Sequence, residues 1–101
     1  MNFNYKELED AAEILKVLAH PVRLCIVKGL LENGPQNVTN MQSCLNVPQS
    51  TVSQHLQKLR TAGIIQGERN GLEIKYEVCS KVAARTVKAL LEEKIGGIKN
   101  E

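Results

Sequence analysis

Residues 48–60 read PQSTVSQHLQKLR. Val52, Leu56 and Leu59 recur there at helical spacing and make one aliphatic face. The opposite face carries Gln49, Ser50, Thr51, Ser53, Gln54, Gln57, Lys58 and Thr61. The spacing predicts a helix over 49–62, opened by Pro48 and closed by Gly63. Just before it, Thr39 is expected to cap a short helix over 40–46, with Met41 and Leu45 turned inward. The turn at Asn46-Val47 joins the two, and Asn37-Val38-Thr39 reads as a short extended piece. Just after it, Asn70-Gly71 lies between two β-prone runs, 64–69 and 72–78, which is a strong hairpin signal. Ile74, Tyr76 and Val78 alternate with Glu73, Lys75 and Glu77, so one side of the hairpin is apolar.

Farther out the pattern is again helical. Residues 6–19 set Leu8, Ala11, Ala12, Leu15, Leu18 and Ala19 on one side, with acidic residues in the early turns. Residues 21–33 begin at Pro21, carry Leu24, Val27, Leu30 and Leu31, and end at Asn33-Gly34-Pro35. Ser80 is placed to cap a last helix over 81–94, with Val82, Val87, Leu90 and Leu91 as its stripe and Gly96-Gly97 as its stop. The expected order is ααααββα. A short helix, a tight turn, a longer helix and a hairpin make a winged helix-turn-helix in an α+β, mostly helical chain.

The 101 residues suffice for a single domain over 1–101, with a core small enough to gain from pairing with a second copy. Trp is absent and aromatics are 3% of the chain, so Leu, Ile, Val, Ala and Met must build that core. The polar, acidic start of the chain is not a secretory leader, and no apolar run is long enough to span a bilayer. The expected compartment is the cytoplasm, where Cys25, Cys44 and Cys79 would be reduced thiols. No Cys-x-x-Cys pair is present, which excludes a zinc ribbon. Nor does any nucleophile–base–orienter set or glycine-rich phosphate loop point to an enzyme.

Net charge is only +2, but its distribution is uneven. Residues 1–20 lean acidic, whereas 55–75 hold Lys58, Arg60, Arg69 and Lys75 beside His55. A phosphate-binding surface needs that local excess rather than a high total. The polar face of residues 49–62 has matching chemistry. Gln pairs with adenine in the major groove, and Ser and Thr serve bases or phosphates. A solvated face would favour Glu and Lys instead. Gln49, Ser50, Thr51, Ser53 and Gln54 are therefore the candidate base-facing residues. His55 and Lys58 are candidate backbone contacts. Arg69 and Lys75, around the hairpin turn, are candidates for reaching the minor groove or phosphates. Double-stranded operator DNA is the expected partner. A winged helix that binds only protein is the alternative, but it would carry acidic or apolar residues on this face.

Several segments resemble the ArsR/SmtB family of bacterial winged-helix regulators. They are Leu18-Ala-His-Pro-Val-Arg-Leu24, Gln49-Ser-Thr-Val-Ser-Gln-His-Leu56, Leu59-Arg-x-Ala-Gly-Ile-Ile65, and Arg69-x-Gly71 with Tyr76. The match covers residues 8–92 and looks most like the PagR-type branch, which lacks metal sites. The resemblance implies a homodimer built through the first and last helices, and repression relieved by an effector. It carries DNA contact to Ser50, Thr51, Ser53, Gln54 and His55, and wing contact to Arg69. Metal-sensing members have cysteines where this chain has Asn37, Val38 and Thr39. Zinc-type members have Asp and His on the last helix, where residues 81–91 have neither. No tetrahedral donor set can be assembled, so neither metal nor cofactor is expected. Some non-metal members sense oxidants through a thiol pair. Here that reading leaves Cys25 with Cys79 or Cys44, against the plainer one in which the cysteines fill small slots.

Overall fold

A computed structural model describes residues 3–92, excepting the side chains of Ser43 and Cys44. The expected continuation of the last helix to 94 and its stop at Gly96-Gly97 lie outside those residues. The elements are α1 (Tyr5–Leu18), α2 (Pro21–Asn33), α3 (Val38–Leu45), α4 (Gln49–Thr61), β1 (Ile65–Asn70), β2 (Glu73–Val78) and α5 (Lys81–Glu92). This is the winged helix-turn-helix order.

Local chemistry sets most boundaries. The Asn4 side chain caps α1 by accepting from the Glu7 amide at 3.3 Å. His20 caps α2: its Nδ1 accepts from the Val22 amide at 3.1 Å, and Pro21 takes the first helical position. Ser80 Oγ accepts from the Ala83 amide at 3.0 Å, as expected for the start of α5. Asn46, at the end of α3, adopts the left-handed conformation with φ 58° and provides the tight turn into α4.

Two boundaries differ from expectation. Thr39 does not cap α3. Asn37 does, its side chain accepting from the Asn40 amide at 2.8 Å, so Val38 and Thr39 are already helical. Asparagine two residues upstream offered the better acceptor, and its own backbone is extended (φ −93°, ψ 172°). The extended pairing falls instead on Gln36, before the expected 37–39 piece, and its amide and carbonyl pair with the carbonyl and amide of Tyr76 at 3.1 and 2.8 Å. The hairpin turn also moves by one residue. Asn70 pairs with Glu73, leaving Gly71-Leu72 as the two-residue loop. Only Gly71 has positive φ there (72°), so glycine alone supplies the first central position of the turn.

The core unites every element. Leu18 of α1, Ile26, Val27 and Leu30 of α2, Met41 of α3, and Val52, Leu56 and Leu59 of α4 are buried. Ile64, Ile65 and Tyr76 join them from the hairpin, and Ala83 and Val87 from α5. The helical spacing read in α4 thus faces inward as expected. The outer helices bury only part of their expected stripes. Leu8 and Leu15 of α1 and Val82 and Leu90 of α5 are exposed in the single chain. Burying Val52, Leu56 and Leu59 supplies about 1.5–3 kcal/mol each, which fixes the rotational setting of α4.

Candidate nucleic-acid interface

Because Val52, Leu56 and Leu59 point into the core, most of the remaining side chains of α4 point out. Gln49, Ser50, Ser53, Gln54, Gln57 and Lys58 are exposed, while Thr51 is half-buried. Among the described residues, most of the polar face is left uncovered. Among the described helices, α4 has no side-chain cap: Pro48 occupies that position, and its carbonyl takes the Thr51 and Val52 amides. The preceding first-turn amides of α4 have no intrahelical partner. They add partial positive charge at the end where Gln49 and Ser50 stand.

His55 differs from its neighbours. It is half-buried, at the edge of the polar face against α2. Its Nδ1 lies 3.2 Å from an Arg23 guanidinium nitrogen, and its ring centroid lies 4.5 Å from that of His20, tilted by 52°. Arg23 Nε in turn donates to the Val17 carbonyl near the end of α1. One guanidinium thus ties α1, α2 and α4 together. Burial first, and then His20, Arg23 and Lys58, hold the His55 pKa below its ordinary value of 6.5. Nothing in the sequence marked Arg23 as part of this surface, since its partner lies 32 residues away.

The hairpin reaches toward the same surface. Asn70, Leu72, Glu73, Ile74 and Tyr76 line a groove whose other wall is Asn37, Val38, Thr39 and Gln49. The Asn37 amide group donates to the Glu73 carboxylate, so the wing is latched to the start of α3. Arg69 and Lys75 are both exposed, but they stand on opposite faces of the ribbon. Arg69 pairs with Ile74, in the row that runs through Tyr76 to the core. Lys75 pairs with Glu68 on the outer face, where a carboxylate offsets its charge. Gly67 opposes Tyr76, and a side chain there would meet Ile74 and Tyr76 carbons at 3.0 Å.

Cys25 and Cys79 are free and exposed, which departs from the slot-filling reading. The Cys79 thiol donates to the Gly63 carbonyl at 3.5 Å. The Cys44 side chain lies outside the described residues. Among those residues, no group of three or more His, Cys, Asp or Glu could hold a metal ion, and no helix is long and apolar enough to cross a membrane.

Comparison with known proteins gives this geometry a context. A helix-turn-helix domain profile matches residues 18–68. The transcriptional repressor PagR of Bacillus anthracis is 45% identical over 85% of this chain and 86% of its own length. Its crystal structure superposes with a TM-score of 0.80, covering 86% of this chain and 99% of that one. The HTH-type transcriptional repressor SmtB of Mycobacterium tuberculosis is 43% identical over 81% of this chain, which spans 61% of that protein's length. The repressor BigR of Xylella fastidiosa is 34% identical in its crystal structure, with a TM-score of 0.74, covering 96% of this chain and 93% of that one.

Proposed function

Because the chain belongs to the ArsR/SmtB family of helix-turn-helix transcriptional repressors, DNA-binding proteins and not enzymes, we propose that α4 is its recognition helix and reads an operator in the major groove. The observation that carries this is the division of α4 into a buried Val/Leu side and a polar side whose Gln49, Ser50, Ser53, Gln54, Gln57 and Lys58 stay exposed among the described residues. Gln49, Ser50, Thr51, Ser53 and Gln54 face base edges. Lys58 and His55 contact phosphates at the rim, and Arg69 serves the adjacent minor groove from the wing. Lys75, on the far face of the wing, makes the weakest contribution.

The functional unit is a homodimer of single-domain chains, joined through α1 and α5. Leu8, Leu15, Val82 and Leu90 support this, because they stay exposed in one chain and lie on those two helices. Two-fold pairing presents two α4 helices to half-sites one helical turn, or a multiple, apart.

Repression is metal-independent. The start of α3 carries Asn37, Val38 and Thr39, and α5 carries neither Asp nor His, which supports this reading. Thiol oxidation is the accompanying proposal for control, through Cys25 with Cys79 or Cys44, and the exposure of Cys25 and Cys79 supports it.

The test is a mobility-shift titration on the DNA upstream of the protein's own gene, at several salt concentrations and with and without mild oxidant. Saturable retardation that weakens steeply with salt is expected. Failure to retard any upstream fragment would remove the operator-binding reading. Affinity unchanged after full thiol oxidation would remove the thiol switch alone.

A further inference from the structure

The contact between Arg23 and His55 has a chemical consequence. A guanidinium has five N–H donors and no acceptor. The His55 nitrogen 3.2 Å from it is Nδ1, so Nδ1 must accept, and the ring proton sits on Nε2. His20 is constrained in the same way, since its Nδ1 accepts from the Val22 amide. In their neutral forms, the two rings that meet at the α2–α4 junction thus both carry their proton on Nε2.

We infer that Arg23 is a positioning residue for DNA binding, which locks His55 as the neutral Nε2–H tautomer and so makes it a directional, uncharged donor to an operator phosphate. The inference rests on the reading of α4 as the recognition helix. A phosphate rather than a base is the target because His55 is half-buried at the margin of the polar face. It stands one turn before Lys58 on the same rim. Without Arg23, a neighbouring polyanion would draw a proton onto the imidazole. With it, a proton on Nδ1 would face a guanidinium. Of the charged and titratable groups near the ring, His20, Arg23 and Lys58 disfavour a second proton on it, whereas the Glu13 carboxylate in the adjoining groove acts the other way. His20 and Arg23 approach from α2 and its cap, and Lys58 from α4. Glu13 and Lys16 of α1 line the adjoining groove with Arg23 and Lys58.

Nitrogen-15 NMR of the imidazoles in the full-length protein tests this directly, across about pH 5 to 8 where histidine titrates. The wild type should show His55 with a pyrrole-type Nε2 and a pyridine-type Nδ1. Arg23→Gln should mix the two tautomers and raise the titration midpoint toward the ordinary value. A His55 protonated at Nδ1 in the wild type overturns the inference, and this measurement needs no variant to fold. So do tautomer populations that Arg23→Gln leaves unchanged.

The operator assay adds a second reading. Arg23→Gln and His55→Ala should each lose about tenfold in affinity, one hydrogen bond's worth. The double variant should lose no more than His55→Ala alone. The salt slope should not change, because an uncharged donor releases no counterion. Affinity should rise as pH falls and His55 takes its proton, and that rise should set in at lower pH in the wild type than in Arg23→Gln. Additive losses in the double variant would overturn the coupling. A wild-type protein that binds no operator would sink the DNA contact together with the proposed function. A wrong tautomer in a protein that does bind would sink this inference alone.

Discussion

Two residues on one helix face do different chemistry. Gln54 is exposed and neutral, with an amide that suits adenine, whereas Lys58 is a point charge one turn later. Gln54→Ala should therefore relax discrimination at one base position by about 1–3 kcal/mol in a binding-site selection. Lys58→Ala should weaken all sequences alike and reduce the slope of log affinity against log salt by about 1. His55 makes a separate prediction about stability. Its folded-state pKa lies below 6.5 while the unfolded value does not, so the unfolded chain binds more protons in the interval between them. Stability should be full above that interval and fall as the pH drops through it. Urea midpoints measured at both ends should differ in the wild type and converge in His55→Gln.

At the scale of elements, α4 and the wing are set by different means. Three apolar side chains spaced along α4 fix its rotation, and with it the polar face. The wing has little core of its own. It is held by Tyr76 packing over Gly67, by the backbone pair between Gln36 and Tyr76, and by the Asn37–Glu73 contact. Gly67→Val would press a branched side chain into Ile74 and Tyr76. It should cost about 1–3 kcal/mol by overpacking, read as a lower urea midpoint. The turn glycine is different: Gly71 is open to solvent but needs its positive φ, so replacement there strains the backbone without a clash.

At the scale of the whole molecule, the unclaimed apolar surface lies on the first and last helices. Leu15 and Leu90 are each more than half exposed. If they meet a second copy, Leu15→Glu and Leu90→Glu should each shift the sedimentation coefficient from dimer to monomer. Operator affinity should then fall by more than about tenfold, because the second half-site contact is no longer tethered to the first. A chain that sediments as a monomer before mutation would remove the interface proposal.

Local patterns carried much of this protein in the sequence alone. The 3.6-residue spacing of Val52, Leu56 and Leu59, the alternation over 73–78 and the punctuation at Pro21, Gly34, Gly63 and Ser80 act over a few residues, and their consequences are visible there. The cap of α3 and the hairpin turn were misplaced by one or two residues. Asn37 and Thr39 are both acceptable caps, and Asn70-Gly71 and Gly71-Leu72 are adjacent candidates for the loop. Backbone pairing, which spans the whole hairpin, chose between the latter. The separation of Arg69 from Lys75 by the pleat follows from the same register. Only the tertiary structure decided that Arg23 meets His55, because that contact joins helices 32 residues apart through a long side chain. It also decided which apolar residues of α1 and α5 stay outside. An amphipathic stripe records that a face seeks cover, but the packing of the other helices determines how much of that cover one chain provides.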